Sequence, residues 1–230
     1  MKLLLIDIET TGLQQTSQIC EVCCCLYNIT ENNNEKGIVS ILSILLPIEK
    51  NEAFNINKIH PELTNTSNTK QLLSQISSMI DECDYLVAFN ASFDAPRFNK
   101  LMGIKNKNWL CAMRDFSWGC TDKKSFKLIE LALWLDIGVS CAHRAFDDVR
   151  LLAECLNRHK DSYNMLLTAI REQKTEKVTI KANTKYAQNE LVKSFGFVWD
   201  GDIKGWCKQV HSDKVDEFTK TLPFKFEILQ

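Results

Sequence analysis

The sequence predicts an α/β protein that carries a small α+β domain at its C-terminal end. As far as about residue 172, short apolar runs typical of buried strands alternate with segments whose apolar residues recur at helical spacing. The charged stretch 172–178 has no such period, and beyond it strands and helices follow in the order β-α-β-β-α-β. We therefore place the main domain at residues 1–172, a linker at 173–177 and the small domain at 178–230.

The main domain is predicted to begin as an antiparallel meander and to continue with shorter strands between helices. Strands are predicted at the apolar runs of strand length, 3–8, 19–28, 38–47, 85–89 and 109–113. Helices are predicted where apolar residues recur every three or four positions, at 69–83, 93–102, 127–135, 145–157 and 163–173.

The small domain is predicted to hold a hairpin around the turn Asp200-Gly201-Asp202. Its strands are placed at 178–180, 197–199, 205–207 and 224–229, and its helices at 184–195 and 212–222. We expect Trp199 and Trp206 to pack in its core, with an exposed platform for stacking on bases as the alternative. This segment resembles an uncharacterised domain appended to bacterial and phage nucleic-acid enzymes, which implies binding of nucleic acid or of a partner.

The balance of basic and acidic residues limits the kind of nucleic-acid contact that the chain can make. Hydrophobic residues make up 45% of the chain and charged residues 25%, with 28 Lys and Arg against 29 Asp and Glu. Proteins that bind long duplexes through many phosphates usually carry a basic excess. The balance therefore argues against a broad electrostatic footprint, but it is compatible with a small site for a strand end.

The ten cysteines do not form a pattern of disulfides or of a zinc site. Cys23, Cys24 and Cys25 are consecutive in an apolar run, and no second pair with metal-ligand spacing follows Cys20 and Cys23. We predict buried, reduced thiols and hence a cytoplasmic location. The apolar run before Asp7 is too short for a signal peptide, and no run approaches a membrane span, so no membrane partner is expected.

Two carboxylates stand close together at the end of the first predicted strand. Asp7 and Glu9 are two residues apart, so both project from one face of a strand that is otherwise apolar. Buried charges need a partner or a metal, and hard oxygen ligands suit Mg²⁺ or Mn²⁺. Taken alone, the pair is equally compatible with a strand end that meets solvent.

The residues that follow make the segment Asp7-Ile8-Glu9-Thr10-Thr11-Gly12-Leu13, which resembles the first motif of the DEDD exonuclease superfamily. This group includes exonuclease X, ribonuclease T, oligoribonuclease and the proofreading subunit of the bacterial replicative polymerase. The resemblance implies that Asp7 and Glu9 bind metal. It also implies that Thr10, Thr11 and Gly12 back the terminal nucleotide, and that Leu13 wedges between the last two bases.

Two further motifs of the superfamily follow in the expected order. The second motif is matched by Asn90-Ala91-Ser92-Phe93-Asp94, preceded by Phe89 where many relatives have His. The match implies that Asp94 binds metal and that Asn90 and Phe93 contact substrate. His143-Arg144-Ala145-Phe146-Asp147-Asp148 matches the third, belonging to the His-containing subgroup. The family spacing selects Asp148 as the ligand and His143 as general base. Helical periodicity agrees, because Asp148 lies three residues after Ala145 and four before Leu152.

Other residues carry weaker inferences. The segment around His60 resembles the family's nucleotide-pocket segment, although Pro61 replaces its usual Gly; an ordinary loop His is the alternative. Trp109, Phe116 and Trp118 are expected to pack in the core rather than to stack on bases.

The resemblance implies a ribonuclease H-like α/β fold, with a mixed five-stranded sheet flanked by helices. It also implies a 3′-to-5′ exonuclease that uses two divalent cations, Mg²⁺ or Mn²⁺. We expect it to act on single-stranded DNA ends and to release nucleoside 5′-monophosphates. Two alternatives stay open: an RNA-trimming exoribonuclease, and a non-catalytic adaptor that binds nucleic acid. No protein partner is indicated.

Overall fold

The computed structural model describes residues 1–14, 16–32, 35–65, 68–119, 126–140, 143–184 and 188–229. The chain divides into two compact units, Met1–Ala169 and Ile170–Gln230. The division falls within a helix, Ser162–Lys174, close to the predicted end of the main domain at residue 172.

A mixed five-stranded sheet forms the centre of the first unit, as the resemblance implied. Its strands are β1 (Lys2–Thr10), β2 (Ile19–Ile29), β3 (Lys36–Leu45), β4 (Tyr85–Ala88) and β5 (Trp109–Cys111). Their order in the sheet is β3-β2-β1-β4-β5. The first three strands pair antiparallel, which confirms the predicted meander, and β4 and β5 join them in parallel.

The helices of this unit follow the predicted positions with two additions. They are α1 (Phe54–Asn57), α2 (Thr69–Glu82), α3 (Ala91–Met102), α4 (Leu128–Trp134), α5 (Ala145–Arg158) and α6 (Ser162–Lys174). Sequence analysis did not predict α1 or the one-turn 3₁₀ helix Pro61–Leu63. Helices of four and three residues are too short to show a hydrophobic period.

The two faces of the sheet are covered by different helices. On β1, the side chains of Leu4, Ile6 and Ile8 join a core that includes Ile76 of α2 and Phe98 of α3. Because side chains alternate along a strand, Asp7 and Glu9 project to the opposite face. Helix α5 packs against β1 and β2. This alternation therefore keeps the two acids away from the apolar α2–α3 core.

The second unit contains a four-stranded antiparallel sheet and two short helices. Its elements are β6 (Lys177–Ala182), α7 (Asn189–Ser194), β7 (Val198–Asp200), β8 (Gly205–His211), α8 (Val215–Lys220) and β9 (Phe226–Leu229). The strands lie in the order β7-β8-β6-β9. The predicted order β-α-β-β-α-β is confirmed. The predicted helix 184–195 begins at Asn189 in the structure, and residues 185–187 lie outside the described part of the chain.

The expectation that both hairpin tryptophans pack in the core is wrong for one of them. Trp206 is half-buried and packs against the core of the second unit, which includes Ile180 and Phe197. Trp199, directly opposite on β7, is 55% exposed. Strand β7 is the edge of its sheet and only three residues long, so fewer neighbours cover its side chains.

The cysteines that the structure describes are buried, as predicted. Eight cysteines lie in the described ranges, and all eight are buried and free; Cys120 and Cys141 lie outside these ranges. Burial raises the pKa of the Cys20 and Cys25 thiols, so these side chains stay protonated. No helix of the described chain has both the length and the apolar character that crossing a membrane requires.

Candidate active site

Three of the predicted acids meet on the α5 face of the main sheet. One carboxylate oxygen from each of Asp7, Glu9 and Asp148 can be chosen so that all three lie within 4.8 Å of one another. Asp7 and Glu9 reach this position from β1, and Asp148 reaches it from the first turn of α5. The neighbouring Asp147 is not part of the group. Asp148, which the family spacing selected and the helical period favoured, is therefore the acid that lies with Asp7 and Glu9.

Asp94 lies beside this group rather than within it. It is buried in the first turn of α3, and its Oδ1 accepts a hydrogen bond of 3.2 Å from the Ile8 backbone N–H. Strand β4 pairs with β1 only as far as Leu5, which leaves the N–H of Ile8 available to this carboxylate. The negative charge of Asp94 contributes to the raised pKa of Asp7, so the two side chains interact electrostatically.

Burial and mutual repulsion make it unfavourable for all four acids to be negatively charged at the same time. Burial, and then the charges of Asp94, Asp148 and other acids, raise the pKa of Asp7 well above its ordinary value. The same causes raise the pKa of Glu9 to about 8, with Asp148 the strongest neighbour. Burial raises the pKa of Asp148 to about 6, although the positive charge of His143 opposes it. The site therefore has an electrostatic need for cations.

Glu21 is a part of this region that sequence analysis missed. It lies directly opposite Glu9 in the β1–β2 register and is only 2% exposed. Its carboxylate accepts hydrogen bonds from Arg144 Nε at 2.9 Å and Arg144 Nη2 at 3.1 Å, and a third from the Ala145 backbone N–H at 3.1 Å. The hydroxyl of Ser43 donates a fourth, at 3.0 Å.

These contacts make Glu21 the residue that attaches the start of α5 to β2. A carboxylate at a helix N-terminus satisfies a free N–H and interacts favourably with the helix dipole. Asp148 and His143 flank the attached residues, so their positions depend on this contact. The signal in the sequence was a lone acid inside an apolar strand, which needs a buried partner.

His143 lies at the entrance to α5 with its side chain exposed. Its φ angle is 64°, a left-handed conformation that is uncommon for residues other than Gly. Its backbone N–H donates a hydrogen bond to the Asp148 carboxylate, and its charge lowers the pKa of that group. The imidazole is thus beside one acid of the cluster and open to solvent.

The loop after β1 is held in place by polar contacts and exposes an apolar side chain. Thr10 Oγ1 donates to the Gly12 carbonyl at 2.7 Å, and Thr11 Oγ1 accepts from the Gln18 N–H at 3.1 Å. A Cβ on Gly12 would lie 3.0 Å from Ser17 Oγ, so the turn suits a residue without a side chain. Leu13 is 84% exposed, which is unusual for a leucine in an otherwise well-packed unit.

Arg97 connects this loop to α3 and was also missed by sequence analysis. Its Nη2 donates to the carbonyls of Leu13 and Gln14, at 3.2 and 3.1 Å. Its guanidinium lies 4.1 Å from the centre of the Phe93 ring. The predicted substrate residues Leu13 and Phe93 therefore belong to one connected surface.

The predicted substrate residues His60 and Asn90 make contacts with their own neighbours in the chain. The ring of His60 packs on Phe54, with 4.5 Å between the ring centres. Asn90 is exposed, and its Oδ1 accepts a hydrogen bond of 2.8 Å from the Ser92 hydroxyl. Phe116 and Trp118 are buried, as expected, and Trp109 packs edge-on against Phe98.

The donor set suits hard divalent cations. All four predicted ligands are carboxylates, which favour Mg²⁺ and Mn²⁺ over softer ions. Arg144 lowers the pKa of Glu9, and Arg97 and His143 lower those of Asp94 and Asp148, yet the pKa of each of these three acids stays raised. On this chemistry the residues fit the metal ions that the resemblance implies.

Known proteins match this chain in sequence and in fold. A family model described as an exonuclease matches residues 4–156. The DNA polymerase III subunit epsilon of Treponema pallidum (strain Nichols) is 28% identical over 160 residues, which cover 64% of this chain and 71% of that protein.

Two solved structures share the fold at low sequence identity. E. coli exonuclease I in complex with a dT13 oligonucleotide superposes with a TM-score of 0.59 and 12% identity, covering 91% of this chain and 63% of that one. Cell-death related nuclease 4 superposes with a TM-score of 0.50 and 13% identity, covering all of this chain and 81% of that one. The chain thus corresponds to less than two thirds of exonuclease I.

Proposed function

The chain belongs to the exonuclease family, and we propose that it is a two-metal-ion 3′-to-5′ exonuclease of single-stranded DNA. The observation that carries this proposal is the meeting of Asp7, Glu9 and Asp148 beside the buried Asp94. DNA is proposed rather than RNA because the sequence relative is a DNA polymerase subunit. The products would be nucleoside 5′-monophosphates.

In this proposal Asp7, Glu9, Asp94 and Asp148 hold Mg²⁺ or Mn²⁺. Cations bound there would offset the charge of the scissile phosphodiester and increase the acidity of the attacking water. His143 would accept the proton of that water, because its imidazole lies beside Asp148 and its side chain is open to solvent. Leu13 would separate the last two bases, for which its exposed side chain is suited.

The proposed activity is tested by digestion of oligonucleotides that carry a label at the 5′ end. With Mn²⁺ present, we expect a ladder of products shortened from the 3′ end of single-stranded DNA, together with nucleoside 5′-monophosphates. A ladder on RNA but not on DNA would contradict the proposed substrate. Binding without any ladder would contradict catalysis and favour an adaptor.

The ligand assignment is tested by Asp7→Asn, which removes a charge while keeping the shape of the side chain. We expect turnover to fall by at least about a thousandfold, while binding of single-stranded DNA in Ca²⁺ persists. Asp147→Asn is the matched control, because it removes the adjacent acid that lies outside the cluster. Undiminished hydrolysis by Asp7→Asn, or equal losses in both variants, would count against the assignment.

A further inference from the structure

The second unit contains a large open cavity beside the tip of its hairpin. Its volume is about 960 Å³, which is at the upper end of the range for pockets that bind ligands. The cavity is lined by residues of β6, β8 and the segment before β9, and by Trp199 of β7. Its lining includes Lys181, Thr184, Trp199, Lys204, Trp206 and Lys225.

Trp199 presents an exposed indole at the wall of this cavity. Its ring meets that of Trp206 edge to face, with 5.8 Å between centres and 77° between planes. Trp206 is fixed in turn, since its Nε1 donates to Asn189 Oδ1 at 3.0 Å and Lys193 lies over its ring. Trp206 is therefore a rigid neighbour for Trp199, while more than half of the Trp199 side chain is exposed to solvent.

The charged side chains that line the cavity are lysines. Among the described lining residues, Lys181, Lys204 and Lys225 are basic and none is acidic. Among acids on neighbouring segments, Glu227 pairs with Lys181 at 3.2 Å, Asp200 accepts the N–H groups of its own turn, and Asp202 lies in the same turn as Asp200. Residues 170–230 carry eleven Lys and Arg against nine Asp and Glu, unlike the acidic remainder of the chain.

Two further features show that the lining is not an ordinary surface. Lys204 adopts a φ of 51°, a conformation that Gly would adopt without strain. The Thr184 hydroxyl is buried and has no hydrogen-bond partner among the described residues. A buried hydroxyl without a partner is costly, so a polar ligand in the cavity would relieve that cost.

We propose that this cavity is a second binding site for single-stranded nucleic acid, separate from the carboxylate cluster. A base stacks on Trp199, and Lys204 and Lys225 contact the flanking phosphates. Single-stranded nucleic acid binds to exposed aromatic side chains beside unpaired lysines, because its bases are free to stack on them. In a duplex the faces of the bases are already stacked on one another. The site uses none of the four acids, so it does not rest on the proposed catalytic mechanism.

The stacking contact is tested with the full-length protein and a fluorescent single-stranded (dT)₂₀, in EDTA. EDTA removes the divalent cations that the proposed hydrolysis needs, so binding is measured apart from it. We expect Trp199→Ala to weaken binding about five- to a hundredfold, because stacking on an aromatic side chain contributes that much for one base. Trp199→Phe keeps an aromatic face and should stay within about threefold of the unmodified protein.

Equal binding by Trp199→Ala and the unmodified protein would overturn the proposal. It would also be overturned if Trp199→Phe lost as much affinity as Trp199→Ala, or if a (dT)₂₀·(dA)₂₀ duplex bound as tightly as the single strand. None of these results would bear on hydrolysis with Mn²⁺, so the failure of this site and the failure of the exonuclease proposal are distinguishable.

The phosphate contacts are tested by the salt dependence of the same binding. Each phosphate contact on a single strand contributes about 0.7 to the slope of log affinity against log salt. We therefore expect the double variant Lys204→Ala, Lys225→Ala to reduce this slope by about 1.4. The control pair Lys177→Ala, Lys220→Ala removes two exposed lysines outside the cavity and should leave the slope nearly unchanged. Equal slopes in the two double variants would refute the assigned contacts.

Discussion

At the scale of single residues, Glu9 and Asp148 contribute to how the candidate site responds to pH. The pKa of Glu9, about 8 in the folded chain, exceeds its ordinary value of 4.5, and the pKa of Asp148, at about 6, exceeds 3.8. The folded protein thus binds more protons than the unfolded chain in this range. The stabilisation is complete below the ordinary values and is lost as the pH rises through 6 and then 8.

We therefore predict that the melting temperature of the metal-free protein falls between about pH 4 and pH 8. Mn²⁺ or Mg²⁺ should raise it, most strongly at the alkaline end, because deprotonated carboxylates bind the cations and lose their mutual repulsion. Thermal unfolding in EDTA and in Mn²⁺ measures both effects. Glu9→Gln should flatten the fall between about pH 5 and pH 8, and an unchanged fall in this variant would contradict the role given to Glu9.

At the scale of elements, the attachment of α5 to β2 determines where the third motif lies. Glu21 is buried, while the side chain of Arg144 is 38% exposed, so solvent weakens this ion pair relative to a fully buried one. We predict that Glu21→Gln lowers the free energy of unfolding by about 1–3 kcal/mol. It should also lower kcat more than it changes KM, since Asp148 and His143 would lose their fixed position.

Urea unfolding and steady-state kinetics of Glu21→Gln measure these two effects. Glu82→Gln breaks the exposed pair with Lys2 and is the matched control, for which little change in stability is expected. A double-mutant cycle of Glu21→Gln with Arg144→Gln should show a clear coupling energy. Simple additivity, or a kcat equal to that of the unmodified protein, would rule out the positioning role of Glu21.

On the scale of the whole molecule, the two units have separate hydrophobic cores. In the first unit, a core cluster contains residues from Leu4 to Trp109, and in the second unit the core cluster contains residues from Val178 to Phe226. We predict that a chain lacking residues 176–230 still folds and still hydrolyses trinucleotides, because the acids belong to the first unit. Its affinity for twenty-nucleotide strands should fall, because the second binding site is removed.

The measurement for this prediction is the ratio of KM for a trinucleotide to KM for (dT)₂₀, in the full chain and in the shortened one. The full chain should prefer the longer strand clearly, and the shortened chain much less. An unchanged ratio would mean that the second unit does not bind the substrate strand. Loss of trinucleotide hydrolysis with a normal melting transition would mean that this unit contributes to catalysis.

Local patterns in the chain were enough to predict most of the fold, whereas the acids of the candidate site were predicted from the resemblance of its motifs. Apolar runs of strand length predicted β1 to β3, and helical spacing predicted α2, α3 and α5 within a few residues. The family spacing selected Asp148 over Asp147, the helical period agreed, and the structure places Asp148 with Asp7 and Glu9. Such patterns work because burial imposes a period of two on strands and of 3.6 on helices.

Contacts between distant segments were decided only by the packing of the chain. Glu21 and Arg144 are 123 residues apart, and they meet because α5 lies across β2. Trp199 is exposed because β7 is a short edge strand, which its own sequence does not reveal. A periodic sequence pattern indicates whether a side chain lies on the buried or the exposed face of its strand or helix. The residue that it contacts there depends on which elements pack together in the fold. For this protein, the motifs of the sequence predicted the acids through their resemblance to a family, and the tertiary structure determined the residues that hold them in place.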